Sequence, residues 1–296
     1  MKTKNFLIVV VTVLSFMVFR QFGLDIPIIL AIYGGVILVS CVVFRAGLLY
    51  FMGNVAFTVG KRELAKQRFL KAERHGSKNP MNYLNYAVLQ IQDDAPAPAM
   101  EYALKALDVN SKLKLPVEIV DKNSNFVIAS SHWQQGNLAM AIDVLEGLCK
   151  RYEHVNTNVY TSLGFLYFLN GDIEKAKATT EKVLADKPET AAAWDNMGQI
   201  YLSEGNKAEA KNCFEKAVSL DRDLADSTFL LAAMYEEAGD ARMAAEFYLR
   251  AKGCKVTKLN KVTQRQIDAK YEEYLYVAFD EDCDEEESGG GNEADI

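Results

Sequence analysis

Between Tyr160 and Ala217 the apolar and small residues form a pattern written twice, 34 positions apart. Tyr160, Leu163, Gly164 and Tyr167 recur as Trp194, Met197, Gly198 and Tyr201. A glycine follows each set, Gly171 and then Gly205, and Ala176, Thr180 and Val183 recur as Ala210, Phe214 and Ala217. Spacings of three and four put each set on one face of a helix, so each copy predicts two amphipathic helices joined by a glycine turn. The small residue of the second helix carries the register outward: Ala65, Ala99, Ala141, Ala176, Ala210 and Ala244 mark six copies. The sixth keeps Leu231, Ala232, Tyr235, Gly239 and Tyr248, the third puts His132 in the aromatic place, and the second replaces the glycine turn with Asp93 to Pro98. About eight extra residues fall between the second and third copies, where Pro116 forbids a continuous helix, so a loop is expected over 110–122.

The period and the order of large, small and aromatic residues resemble the tetratricopeptide repeat (TPR) family. The resemblance implies an all-α solenoid of about six helix pairs over residues 46–260. Gly164, Gly198, Ala176 and Ala210 would sit where paired helices approach closely, with Tyr160, Leu163, Tyr167, Trp194, Tyr201 and Phe214 packing around them. Val262, Ile267, Tyr271 and Tyr274 recur at helical spacing after the last copy and predict a capping helix within 261–279, since the last pair of a solenoid bares an apolar face.

Ahead of the repeats lie two apolar runs, about 6–19 and 26–44. The second has the length of a membrane span and the first is short for one, so residues 1–45 are expected to form an anchor of one helix or a tight hairpin. A signal peptide competes for the first run, because a basic start followed by an apolar core also describes one. No small-residue cleavage site follows Phe19, and a second apolar run comes at once. Arg45, Lys61, Arg62, Lys66, Arg68, Lys71, Arg74 and Lys78 then follow, which by the positive-inside rule places the repeats on the cytoplasmic side of the membrane.

Charge changes the picture only at the end of the chain. The net charge of −7 is concentrated in residues 280–296, which hold nine acids and no base. This tail, with its run Ser288–Gly291, is too polar to bury a core and is expected to be disordered. The remainder is near neutral, which argues against a nucleic-acid footprint. Five scattered cysteines and three histidines show no metal-ligand spacing, and no catalytic or phosphate-binding motif is present, so neither a cofactor nor an enzyme activity is expected.

Binding remains. In the TPR family the stripe beside the packing face of each first helix lines a concave groove for protein ligands. Carried onto this sequence, that stripe is Leu84, Val88 and Ile91; Phe126, Ser130 and Trp133; Thr161, Phe165 and Phe168; Asp195, Gln199 and Leu202; and Phe229, Ala233 and Glu236. Mostly apolar and lacking a basic residue, it departs from the carboxylate-holding TPR subgroup and suits an apolar segment or amphipathic helix of a protein partner, unless the winding of the superhelix or the 110–122 loop packs it away. The expectation is a membrane-tethered scaffold touching the lipid bilayer and a protein or peptide, without a small-molecule substrate. An exported or envelope-facing assembly factor and a regulatory subunit of a membrane enzyme are the alternatives.

Overall fold

The computed structural model describes residues 17–275 apart from 20, 22, 24, 115, 258 and 259, and for 36–43 the backbone alone. The expected tail over 280–296 and the first apolar run up to residue 16 lie outside the described residues. Fourteen helices follow one another with no strand among the described residues: α1 (Ile26–Val43), α2 (Arg45–Thr58), α3 (Arg62–Arg74), α4 (Pro80–Gln92), α5 (Pro96–Ser111), α6 (Glu118–Gln134), α7 (Leu138–Arg151), α8 (Thr157–Leu169), α9 (Ile173–Asp186), α10 (Ala191–Ser203), α11 (Lys207–Leu220), α12 (Ala225–Glu237), α13 (Ala241–Gly253) and α14 (Gln264–Tyr274). The chain divides into two compact units, 1–86 and 87–296, with the boundary inside α4.

In the first unit α1 is an uncharged helix of 18 residues, about 27 Å at 1.5 Å per residue. Among the described residues no helix is long and apolar enough to cross a membrane. Helices α2 and α3 pack at Gly53, where an added Cβ would come within 2.7 Å of the Phe69 ring. Asn82 at the start of α4 donates to the Phe69 carbonyl at 3.1 Å, tying it to α3.

The second unit is an all-α solenoid. Its small residues explain the geometry: Ala99, Ala141, Ala176, Ala210 and Ala244 are all fully buried, so each second helix approaches its neighbours at a residue without bulk. Opposite them, an added Cβ on Gly198 would stand 2.6 Å from the Phe214 ring, and on Gly164 it would stand 2.8 Å from Thr180 Oγ1. The connections reverse direction through left-handed residues at Gly171, Gly205 and Gly239, with φ between 77 and 83°. Where the second copy lacks its glycine, Asp94 takes that backbone region itself at φ 53°. Consecutive pairs are bridged by side-chain amides: Asn196 Nδ2 donates to the Thr161 carbonyl at 2.9 Å and Gln134 Nε2 to the Ile91 carbonyl at 3.0 Å.

The loop expected over 110–122 is shorter than the sequence suggested. Helix α5 runs 16 residues and α6 17, against 13 or 14 in the later pairs, so much of the insertion is absorbed as extra helical turn. Only 112–117 connects them, and Asn110 closes the turn by donating to the Val117 carbonyl at 3.1 Å and accepting from the Val117 amide at 2.8 Å. The capping helix expected within 261–279 is α14, and residues 276–279 lie outside the described ones. Helix α14 starts at Gln264 because Thr263 and Gln266 form a reciprocal capping box, and Ile267 is its fully buried residue.

Candidate functional site

Every first helix in this unit carries a stripe neighbouring its packing face, and on α6 and α8 aromatic residues of these stripes meet. The Trp133 and Phe165 rings lie 5.3 Å apart between centroids, and Phe165 and Phe168 lie 6.3 Å apart and stacked, so the three form one aromatic cluster across α6 and α8. Phe165 is 6% exposed, whereas Phe126, Trp133, Phe168 and Leu202 are half-buried. On α4, Val88 is half-buried, and Leu84, in the first unit, is 1% exposed. Of the repeat-packing set, Leu163 and Tyr167 are buried, while Tyr160, Trp194 and Tyr201 stay half-buried at the surface. Trp194 closes the preceding connection by donating from Nε1 to the Pro188 carbonyl at 2.7 Å.

What covers the stripe is not the 110–122 loop. The chain between α13 and α14 supplies the cover, from Lys255, Thr257, Asn260 and Lys261. The Lys261 ammonium lies 4.7 Å from the Phe168 ring centroid, and Asn260 joins Trp133, Thr161, Phe165, Asp195 and Asp226 around a cavity of about 170 Å³. A second cavity, of about 300 Å³, is bounded by Val88 and Ile91 of α4, by Phe126, Val127, Ser130, Trp133 and Gln134 of α6, by Ser162 of α8, and by Lys255 and Thr257. The larger of the two cavities along the stripe is therefore the one nearer α4.

Toward α10 and α12 the face is acidic. Asp226 is met by three donors from the returning chain: the Val262 amide at 2.8 Å, the Lys261 amide at 3.1 Å and Asn260 Nδ2 at 3.4 Å. Burial raises its carboxyl above the ordinary range, against the lowering by the Val262 and Lys261 hydrogen bonds. Asp195 beside it is buried and accepts from Ser227 Oγ at 2.5 Å and Gln199 Nε2 at 2.8 Å. Burial pushes its carboxyl up to about 6, with the Asp226 charge adding to the rise and the Ser227 and Gln199 hydrogen bonds opposing it. Gln199 is 2% exposed and its Oε1 has no hydrogen-bond partner. Glu236 is taken up by the capping helix through Lys270 at 2.6 Å and by Tyr248 Oη at 2.5 Å. Burial opposes its charge, but these two donors outweigh that and hold the carboxyl below its ordinary range.

Sequence reasoning identified the aromatic members of this face and missed Lys255, Asn260, Lys261 and Asp226. The signal available for them was weak: a lysine-rich, β-branched stretch between two helices has no periodicity to place it. Among the described residues no group of three or more His, Cys, Asp or Glu side chains could hold a metal ion.

Comparison with known proteins agrees with this architecture. The family model described as Tetratricopeptide repeat matches residues 157–189 and 191–224, the two copies with the clearest pattern. The chain is 28% identical over 128 residues to Lipopolysaccharide assembly protein B of Escherichia coli K12, covering 42% of this chain and 32% of that relative. The chain thus spans about a third of that relative's length. Among solved structures, a tetratricopeptide repeat protein from Parabacteroides merdae superposes with a TM-score of 0.62 at 15% identity, over 78% of this chain and 85% of the other. PilF of Pseudomonas aeruginosa superposes at 0.53 and 18% identity, over 78% and 96%. These structures share the fold.

Proposed function

We propose that this chain is a protein-docking scaffold held at a membrane. The repeats supply the docking face and the amino-terminal apolar segment supplies the tether. The observation that carries the docking reading is the apolar-lined cavity of about 300 Å³ bounded by α4, α6, α8 and the segment between α13 and α14. It is large enough for an aromatic or branched aliphatic side chain and is walled by Val88, Ile91, Phe126 and Trp133, so an apolar segment or amphipathic helix of a protein partner is its occupant. From Trp133 the aromatic contacts continue to Phe165 and Phe168 on α8. No catalytic step is assigned. The tether reading is supported by the uncharged α1 and by the bases that follow it, which favour the cytoplasmic side. Holding the repeats at the bilayer raises the effective concentration of whatever docks there.

The test is a photo-crosslinking residue at Ser130 in the full chain, in cells. A discrete protein adduct is expected, and Val88→Glu, which puts a charge into the cavity from a half-buried position, is expected to abolish it. An adduct that survives Val88→Glu unchanged removes the cavity from the proposal. A second reading, an envelope assembly factor, is favoured by the likeness to a lipopolysaccharide assembly protein. It predicts that deleting the chain changes the lipopolysaccharide content of the cell, which the docking reading alone does not require.

A further inference from the structure

Helix α2 carries an apolar stripe that its own repeat does not use. Phe44, Leu48, Phe51, Met52, Val55 and Val59 are between 40 and 68% exposed. At 100° per residue they fall within an arc of about 100°. The residues that pack α2 onto α3, Gly53 and Ala56, lie away from that arc. Six large apolar side chains in one line, on a helix whose packing is already satisfied elsewhere, form a contiguous patch that calls for a partner.

Two observations identify that partner. The stripe begins at Phe44, the one residue between α1 and α2, so it continues directly from the uncharged helix. Along the stripe the charge has one sign: from Ile26 to Arg62 the chain contains no acidic residue, Arg45 and Lys61 stand exposed at the two ends of the stripe, and the nearest acids in sequence, Asp25 and Glu63, lie beyond those ends. Apolar side chains along one side of a helix with bases at both ends match the boundary between acyl chains and anionic headgroups. A surface built for a second protein copy would not need its flanks cleared of acids.

We propose that α2 lies in the membrane interface, with Phe44, Leu48, Phe51, Met52, Val55 and Val59 dipped among acyl chains and Arg45 and Lys61 among anionic headgroups. The first helix of the repeats then sets the height of the first unit on the bilayer. This inference rests on the tether reading. The two fail differently in one experiment, with the full chain reconstituted in phosphatidylcholine vesicles with and without phosphatidylglycerol.

A benzophenone amino acid replaces Phe51, Val55 or, as a control, the exposed Gln67 on α3. Lipid adducts are read by intact mass. We expect adducts at positions 51 and 55 and none at 67, with the yield raised by phosphatidylglycerol. Arg45→Gln with Lys61→Gln is expected to lower that phosphatidylglycerol-dependent yield by roughly thirty-fold. Both side chains are exposed, so the variant leaves the packing of α2 on α3 intact. Vesicle-bound chain without lipid adducts at 51 and 55 overturns the interfacial helix and leaves the tether standing. Adducts at these positions to a second copy overturn it in favour of self-association. Chain released from the vesicles by alkaline extraction overturns the tether, and the inference with it.

Discussion

At the scale of single residues, the close approaches are decided by glycines that look alike in sequence and differ in surroundings. At Gly198 a Cβ would meet the Phe214 ring at 2.6 Å, and the ring is fully buried. Gly198→Ala is expected to destabilise by about 1–3 kcal/mol, as overpacking does. Gly147, inside α7, has nothing within 4 Å of its added Cβ, so Gly147→Ala is expected to stabilise by about 0.5–1 kcal/mol through helix propensity. Denaturant midpoints of the two variants check both signs. Asp195 gives a prediction in pH. Its carboxyl is raised from the ordinary 3.8 to about 6, so the folded state holds a proton that the unfolded chain releases first. Stability from this group is therefore fully present below about pH 4 and is lost as pH rises through 6, a loss of about 3 kcal/mol by linkage. Asp195→Asn is expected to flatten the pH dependence between 4 and 6, because an amide does not titrate, and to raise the melting temperature at pH 7, where with the Gln199 amide turned over the introduced Nδ2 donates to Gln199 Oε1. A melting curve that keeps its full pH dependence in Asp195→Asn would place the titration elsewhere. None of this was legible in the sequence, where Asp195 stood as one polar member of a stripe.

At the scale of elements, the repeats were legible because their signal is periodic and local. Ala176, Ala210 and Ala244 fixed the register, and each is fully buried in the helix pairs they marked. Boundaries were less legible wherever a side chain closes a turn. Asn110 shortened the expected loop by capping it, and Thr263 with Gln266 set the start of α14, both acting through hydrogen bonds that hydrophobic spacing does not encode. The chain between α13 and α14 was the largest omission, since its placement depends on Asp226 of α12, 34 to 36 residues earlier. That anchor yields a prediction. Asp226→Ala removes the acceptor for the Lys261 and Val262 amides and for Asn260 at once, and charge-assisted bonds of this kind are worth about 1.5–3 kcal/mol each at most. Hydrogen exchange at 261 and 262 is expected to accelerate strongly while α8 and α9 keep their protection. Trp133 becomes more accessible to a soluble quencher as the cover over α6 and α8 loosens. Unchanged exchange at 261 and 262 would mean that the burial of Val262 alone holds the segment.

At the scale of the whole molecule, a solenoid is stabilised by its neighbours, so loss at one end should spread by pairs and not by distance from the site of change. In the second unit, α14 is the element that covers the last pair. Its Ile267 is fully buried in a cluster with Ala225, Ala251, Cys254 and Val262, and the Tyr274 ring stands 5.1 Å from that of Tyr248, itself fully buried. Lys270 meets Glu236 at 2.6 Å, and Lys252 pairs with Asp268, so the cap is joined to both helices of the pair beneath it. Ending the chain after Thr263 removes all of these contacts. The loss of one large buried side chain alone is worth about 2–5 kcal/mol, enough to make a single pair marginal. In hydrogen exchange, α12 and α13 are expected to lose protection first and α10 and α11 in part. The pair α8 and α9, which packs against neighbours on both sides, should stay close to the full-length chain. The unfolding transition should broaden accordingly, as it does when a repeat array no longer melts as one unit. Equal loss of protection from α8 through α13 would instead show that the second unit unfolds as a single cooperative block, and that α14 stabilises all of it.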